Sequence, residues 1–422
     1  MTIERDAAAA APTARFGRDA TVTLATAMFS RGGVLLLQVG AARLLGVVAF
    51  NVFVTATIVG AVVYLLSDLG LRQAVIVSAA GDEGLARRAA AALRSVRRKA
   101  ALPIAALGAV AVAVLASTDG EHALAGALIV LSYAVQSYSR YLRSPLRAGA
   151  RVVAESKLEW LERAATLIGA GAGLLARSLV WSGVGALAGA LLGLFVTQRS
   201  LRLQAGDAPV AFTRSPVRYG MTLSAAVAAS MVYARLDYVV LLRIGSQLDA
   251  AVYAATYTLV LAFSMLYVAV SDTAYAHLPG NAAARGPYLR LVTVAGGLGF
   301  LTIGTTGPAL VRTVFGLDHP SLGPLCWLLG VASAVMAVTS TVGVFAPMEG
   351  RERRMTALSA LAAGVNVGLC LVLIPSLGVI GGALATIATE SVGAIGWWAW
   401  RRKAGSVPNE PPRAVPLPAS AS

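Results

Sequence analysis

LARRAAAALRSVRRKAALPIAALGAVAVAVLA, residues 85–116, changes character at one point. Up to Lys99 it is basic, carrying Arg87, Arg88, Arg94, Arg97, Arg98 and Lys99; from Ala100 it stays apolar for long enough to approach a bilayer crossing, which takes about 20 residues. The same alternation runs through the whole chain. Apolar windows of this kind begin near 21, 48, 100, 122, 158, 178, 219, 250, 291, 322, 356 and 379, predicting twelve spans, numbered 1 to 12 below. The N-terminal tail, every second gap and the C-terminal tail hold 27 of the 35 Lys and Arg. The other gaps hold only Arg43, Arg177, Arg243 and Arg312, while Arg31, Arg72, Arg163 and Arg235 lie in or at the rim of apolar segments. Cytoplasmic loops carry the Lys/Arg excess, so this pattern places both termini, and the gaps near 92, 150, 208, 283 and 352, in the cytoplasm.

Composition agrees. A chain of 422 residues with 57% hydrophobic and 13% charged residues has more apolar surface than an ordinary water-soluble fold can bury. An all-α, multi-pass plasma-membrane protein is expected. The net charge of +15 would suggest nucleic acid in a soluble protein; spread along one face of a membrane protein, it reads as topology determinants facing anionic headgroups, and nucleic acid is excluded as a partner. Cys326 and Cys370 both fall in apolar segments and read as small buried hydrophobes, with no disulfide and no metal site implied.

Residues 1–20 lack the short apolar core and cleavage site of a secretory signal and read as a disordered tail. A six-span lobe over 21–198, a linker over 199–217, a second lobe over 218–400 and a Pro-rich disordered tail over 401–422 follow. The lobes look like a repeat. Span 2 closes on Ser67-Asp68 eighteen residues after Phe50, span 8 on Ser271-Asp272 nineteen after Tyr253, and each follows a hairpin whose first span carries an arginine, Arg43 or Arg243. Parallel repeats about an axis along the membrane normal are a transporter architecture.

Two runs in the second half carry a family resemblance. YARLDYVVLLRIGSQLDAAVYAATYTLV (233–260) resembles the R-[IL]-D-x-x-[LIV]-L pattern, followed by a Gly and then Y-x-x-A, of polysaccharide flippases of the O-antigen transporter type. AAGVNVGLCLVLIPSLGVIGGALATIATE (362–390) is similar to their hairpin between spans 11 and 12, through Asn366, Leu369, Pro375, Gly378, Gly381, Ala383, Ala385 and Thr386, and AARLLG (41–46) adds a short match in span 1. The sequence departs from the pattern at Gly382, where Ala is favoured, and in the loop HLPGNAAARG (277–286). These flippases share a superfamily with multidrug and toxin extrusion transporters and the lipid II flippase. The resemblance implies two six-helix lobes around a central cavity and transport of undecaprenyl-diphosphate-linked oligosaccharide for cell-surface polysaccharide synthesis. It also implies membrane lipid, lipid-linked glycan and polysaccharide polymerases as partners.

Charges inside spans are costly and mark pathways or partners. Arg31 lies about 15 Å into span 1 by helical rise, near the midplane, with Gln38 seven residues on along one seam; Arg235 lies nearer the outer side of span 7. Arginine suits a diphosphate because its planar fork donates paired hydrogen bonds. The alternative is an arginine held by a carboxylate or by helix-end carbonyls. On span 8, Tyr253, Tyr257, Ser264, Tyr267 and Ser271 share one face, apolar rings with polar tips that suit either a sugar path or lobe packing. Glu390 near mid-bilayer, Asp237, Asp68, Asp272 and Asn366 are the candidates for coupling or gating, with interhelical pairing as their alternative. No cofactor is expected beyond a coupling ion, H+ or Na+. The rival functions are a cation-coupled multidrug exporter, whose walls should be acidic, and a polymerase or glycosyltransferase. No long outer loop or Asp-x-Asp site supports an enzyme.

Overall fold

The computed structural model of the protein describes residues 2–79, 82–116, 119–149, 151–201, 235–277, 285–348 and 351–403. The described residues outside short turns are all helical. In chain order they form α1 (Thr2–Leu66), α2 (Leu71–Ser78), α3 (Glu83–Ala116), α4 (Gly120–Leu142), α5 (Ser144–Ala148), α6 (Val152–Leu175) and α7 (Leu179–Leu201). Then come α8, described over 235–244, α9 (Gln247–His277), α10 (Arg285–Leu310) ending in a π-helical turn (Val311–Phe315), α11 (Leu322–Met348), α12 (Glu352–Leu377) and α13 (Val379–Lys403).

These elements cover eleven of the twelve expected spans and the end of the other, span 7. Among the described residues eight stretches are long and apolar enough to cross a membrane, and one of them, Met28–Ile76, has 49 residues and covers spans 1 and 2. Gly46 divides it, with φ 81° and ψ 177° inside α1. Gly378, between α12 and α13, has φ 56°. A Cβ at either glycine would meet nothing within 4 Å. The backbone conformation, which strains residues with a side chain, is therefore what demands glycine there. Span 4 falls on α4 and span 5 on α6, which carries Glu155, Lys157, Glu159, Glu162 and Arg163; of span 7 only 235–244, in α8, is described. The protein is an all-α polytopic membrane protein. Leu36, Leu102, Ile168 and Leu175 are each more than 70% exposed, an arrangement that hydrocarbon tolerates and water does not.

Two expectations change. Residues 2–20, expected as a disordered tail, continue α1 as helix, in keeping with the high helix propensity of the run Ala7–Ala11. The basic run 87–99, expected as a loop, is the first half of the 34-residue α3; α2 adds a short helix before it in the same gap, and α5 adds one in the next basic gap. The linker 199–217 beyond Leu201, the start of span 7 and the tail from 404 lie outside the described residues.

The chain divides into two compact units. Unit 1 comprises Met1–Leu37, Val59–Ala113 and Thr118–Ser224; unit 2 comprises Gln38–Ile58, Val114–Ser117 and Ala225–Ser422. The boundaries differ from the expected lobes in giving unit 2 the turn at Gly46 and its flanks. In unit 1, α6 and α7 approach so closely that a Cβ on Gly169 would stand 2.3 Å from the Gly185 carbonyl oxygen, and one on Gly173 2.0 Å from the Ser182 nitrogen. Small residues allow this contact where lipid provides no hydrophobic drive between helices. In unit 2, Tyr267, Tyr288, Phe345 and Trp397 form a buried aromatic cluster between α9, α10, α11 and α13.

Candidate functional site

The site begins with the tripeptide Arg235-Leu236-Asp237 on α8. Asp237 is 1% exposed, deep in unit 2. Its Oδ2 accepts hydrogen bonds from the Tyr253 hydroxyl of α9 and, at 2.8 Å, from Thr386 Oγ1 of α13. Its Oδ1 accepts from the Tyr238 backbone N–H at 2.7 Å. The Tyr253 and Thr386 oxygens are also 3.1 Å apart, closing a triangle of three side chains from three helices. Tyr253 and Thr386 come from the two runs that carry the family resemblance, 233–260 and 362–390. Gly382, the departure from that pattern, belongs to the same site: a Cβ there would stand 3.2 Å from the Tyr253 ring, so an alanine would crowd the residue that donates to Asp237.

Beside the triangle, Asn366 Nδ2 donates to Thr389 Oγ1 at 3.1 Å, linking α12 to α13, and Cys370 Sγ donates to Asn366 Oδ1 at 3.6 Å. Both cysteines are free and buried. Among the described residues no Lys or Arg forms an ion pair with Asp237. Arg235, two residues away, lies instead over the Tyr257 ring at 4.4 Å. A buried carboxylate held by hydroxyls and one amide, without a fixed cation, is suited to take up a proton or a small monovalent cation, because hydroxyl oxygens retain lone pairs to share with it. Among the described residues no group of three His, Cys, Asp or Glu stands together.

The other candidates are dispersed. Gln38 Oε1 accepts from Thr258 Oγ1 of α9 at 2.8 Å inside unit 2, whereas Arg31 is exposed and belongs to unit 1. The stripe on α9 is interior: Tyr253, Tyr257, Tyr267 and Ser264 are all buried, and Ser271 bonds Tyr288 of α10 at 3.1 Å. Within unit 2 the stripe packs against neighbouring helices, Tyr253 bonding Asp237, Tyr257 lying under Arg235 and Ser271 bonding Tyr288. Glu390 accepts from Thr339 Oγ1 of α11 at 2.7 Å. Asp68 accepts the Arg72 backbone N–H at 3.2 Å and stands 3.8 Å from Arg97. The side chain of Asp272 lies outside the described residues.

Sequence reasoning missed three features. Thr386 was visible only as a pattern position, not as a donor to Asp237. Arg43 and Arg243, noticed as a repeat, both serve as helix-end donors within unit 2: Arg43 to the Thr313 and Val314 carbonyls, the latter at 2.9 Å, and Arg243 to the Val114 carbonyl. Unit 1 holds a buried ion network, Arg72–Glu155 at 2.8 Å, Arg147–Glu155 at 2.6 Å and Arg143–Glu162 at 2.7 Å. The mixed signs over 140–163 were the only available signal for it.

This fold is similar to that of an inward-facing multidrug-resistance MATE family transporter of the MOP superfamily, with TM-score 0.67 and 13% identity over 91% of this chain and 98% of that one. An outward-facing transporter of the same description gives 0.65 and 12% over 92% and 95%. The lipid II flippase MurJ in an inward closed conformation gives 0.60 and 12% over 89% and 86%. No family model and no curated protein matches the sequence. The chain has the fold of MOP-superfamily transporters and flippases.

Proposed function

We propose that the protein is a flippase that moves undecaprenyl-diphosphate-linked oligosaccharide across the plasma membrane by alternating access, with both termini cytoplasmic. The observation that carries this reading is the convergence of the two flippase-like runs on one hydrogen-bonded site, Asp237 with Tyr253 and Thr386. Residues that match a pattern only by composition have no reason to meet. In this reading Asp237 binds the coupling cation or proton, while Arg31 and Arg235 are the guanidinium forks available to a diphosphate. Flipping requires no bond chemistry.

The second reading, a cation-coupled multidrug exporter, is favoured by the likeness to multidrug transporters. Purified protein in liposomes distinguishes the two. The flippase reading expects transfer of a labelled polyprenyl-diphosphate oligosaccharide and no gradient-driven efflux of a cationic dye; the reverse result replaces it with the exporter. In cells, a cysteine replacing Ser376 should react with an impermeant thiol reagent and one replacing Ala91 should not, in a background lacking Cys326 and Cys370. Inverted labelling overturns the orientation.

A further inference from the structure

A second polar feature lies in unit 1, apart from Asp237. An open crevice of about 450 Å³ is lined by Arg94 and Arg98 of α3, Tyr138 of α4 and Gln198 of α7. Arg94 and Arg98 are one turn apart on the same side of α3. Arg94 Nε donates to the Tyr138 hydroxyl at 3.0 Å, which fixes the guanidinium; among the described residues its terminal nitrogens have no hydrogen-bond partner. Behind them Arg97, 0% exposed, faces inward to Ser137 Oγ at 2.7 Å and to Asp68. Asp68 is thus engaged by Arg97 rather than by the crevice arginines.

The walls of the crevice lead into lipid-facing surface. On α3 the series 94, 98, 102 passes from arginine to Leu102, 75% exposed. On α7 the face of Gln198 continues through Phe195 and Leu191, both exposed. The 34 residues of α3 extend about 50 Å at helical rise, well beyond the hydrocarbon thickness, so its basic first half reaches the headgroup layer. Paired guanidinium forks open to that layer, with apolar helix faces directly beneath, suit a phosphate ester carrying acyl chains.

We propose that Arg94, Arg98, Tyr138 and Gln198 form a binding site for the phosphate of an anionic phospholipid, distinct from any transported substrate. The site holds the headgroup while the tails lie on the exposed faces of α3 and α7. The test uses the whole protein in detergent, titrated with phosphatidylglycerol or phosphatidylcholine and read by native mass spectrometry. Phosphatidylglycerol should be retained in preference, and Arg94→Ala/Arg98→Ala should weaken its retention about tenfold or more, the loss of one charge-assisted hydrogen bond being enough. The control Arg88→Ala/Lys157→Ala, which removes the same charge from exposed positions elsewhere in unit 1, should change it less than about twofold. Equal losses in the two variants would mean diffuse attraction and overturn the site. Displacement by millimolar inorganic phosphate would replace the lipid with a soluble anion and also overturn the proposal. If the double variant does not fold, Arg98→Glu, at an exposed position, should give the same loss; unchanged retention in that variant refutes the assignment.

Discussion

Unit 1 and unit 2 bury polar groups in opposite ways. Unit 1 buries charges in pairs: Glu155, 2% exposed, lies between Arg72 and Arg147, and Glu162 holds Arg143. Unit 2 buries hydroxyls and amides around Asp237, with no cationic partner among the described residues. A paired buried charge is locked, because removing either partner strands the other in a medium that solvates it poorly. A carboxylate held by hydroxyls can exchange a proton or cation without leaving an opposite charge behind. In the proposed function, unit 1's network is accordingly the scaffold and unit 2's triangle the part that changes state.

The sharpest way to break this contrast is Glu155→Ala. It strands Arg72 and Arg147 and should cost about 3–5 kcal/mol, seen as lost membrane abundance and a lower melting temperature in detergent. An unchanged melt would mean the network is not structural. Next in size, Asp237→Asn removes the charge proposed to bind the coupling cation or proton and should reduce transport about tenfold or more. Its melting temperature should be unchanged or higher, since a neutral amide costs less to bury than a carboxylate. A destabilised Asp237→Asn variant would place this residue with the scaffold. Smaller still, Tyr253→Phe and Thr386→Val should each cost about 1 kcal/mol. Their effects should be non-additive in a double-mutant cycle because they share Oδ2; strict additivity would separate them. Smallest is Arg312→Ala. Its ion pair with Asp318 at 2.7 Å is exposed on both sides, so no measurable change in melting is expected at neutral pH. Hydrogen bonding from Arg312 holds the Asp318 carboxyl below its ordinary value. The little the pair contributes is therefore present at neutral pH and disappears on acidification through that lowered value.

Span number and class were legible because a membrane crossing leaves a local record, about 20 apolar residues. The twelve windows correspond to helices or helix segments from α1 to α13, though the windows alone did not show that the basic run before span 3 is helical, since charge patterns mark topology and not backbone conformation. Asp237 was legible as an intramembrane acid. Its partners were not: Thr386 lies 149 residues away, and nothing local in an apolar helix says which of its threonines faces which neighbour. Likewise the tyrosines of α9 share a face by periodicity, but periodicity does not say whether that face meets a cavity or another helix.

By itself the sequence determined the all-helical membrane class, the positions of the apolar spans and the alternation of basic and apolar gaps. Each depends on residues adjacent in the chain. Only the tertiary structure decided that Arg43 and Arg243 hold helix ends, that Glu155 pairs with two arginines, that the α9 stripe is interior and that Asp237, Tyr253 and Thr386 meet. Those outcomes depend on helix rotation and packing distance, which are set by close-packed contacts between segments far apart in sequence.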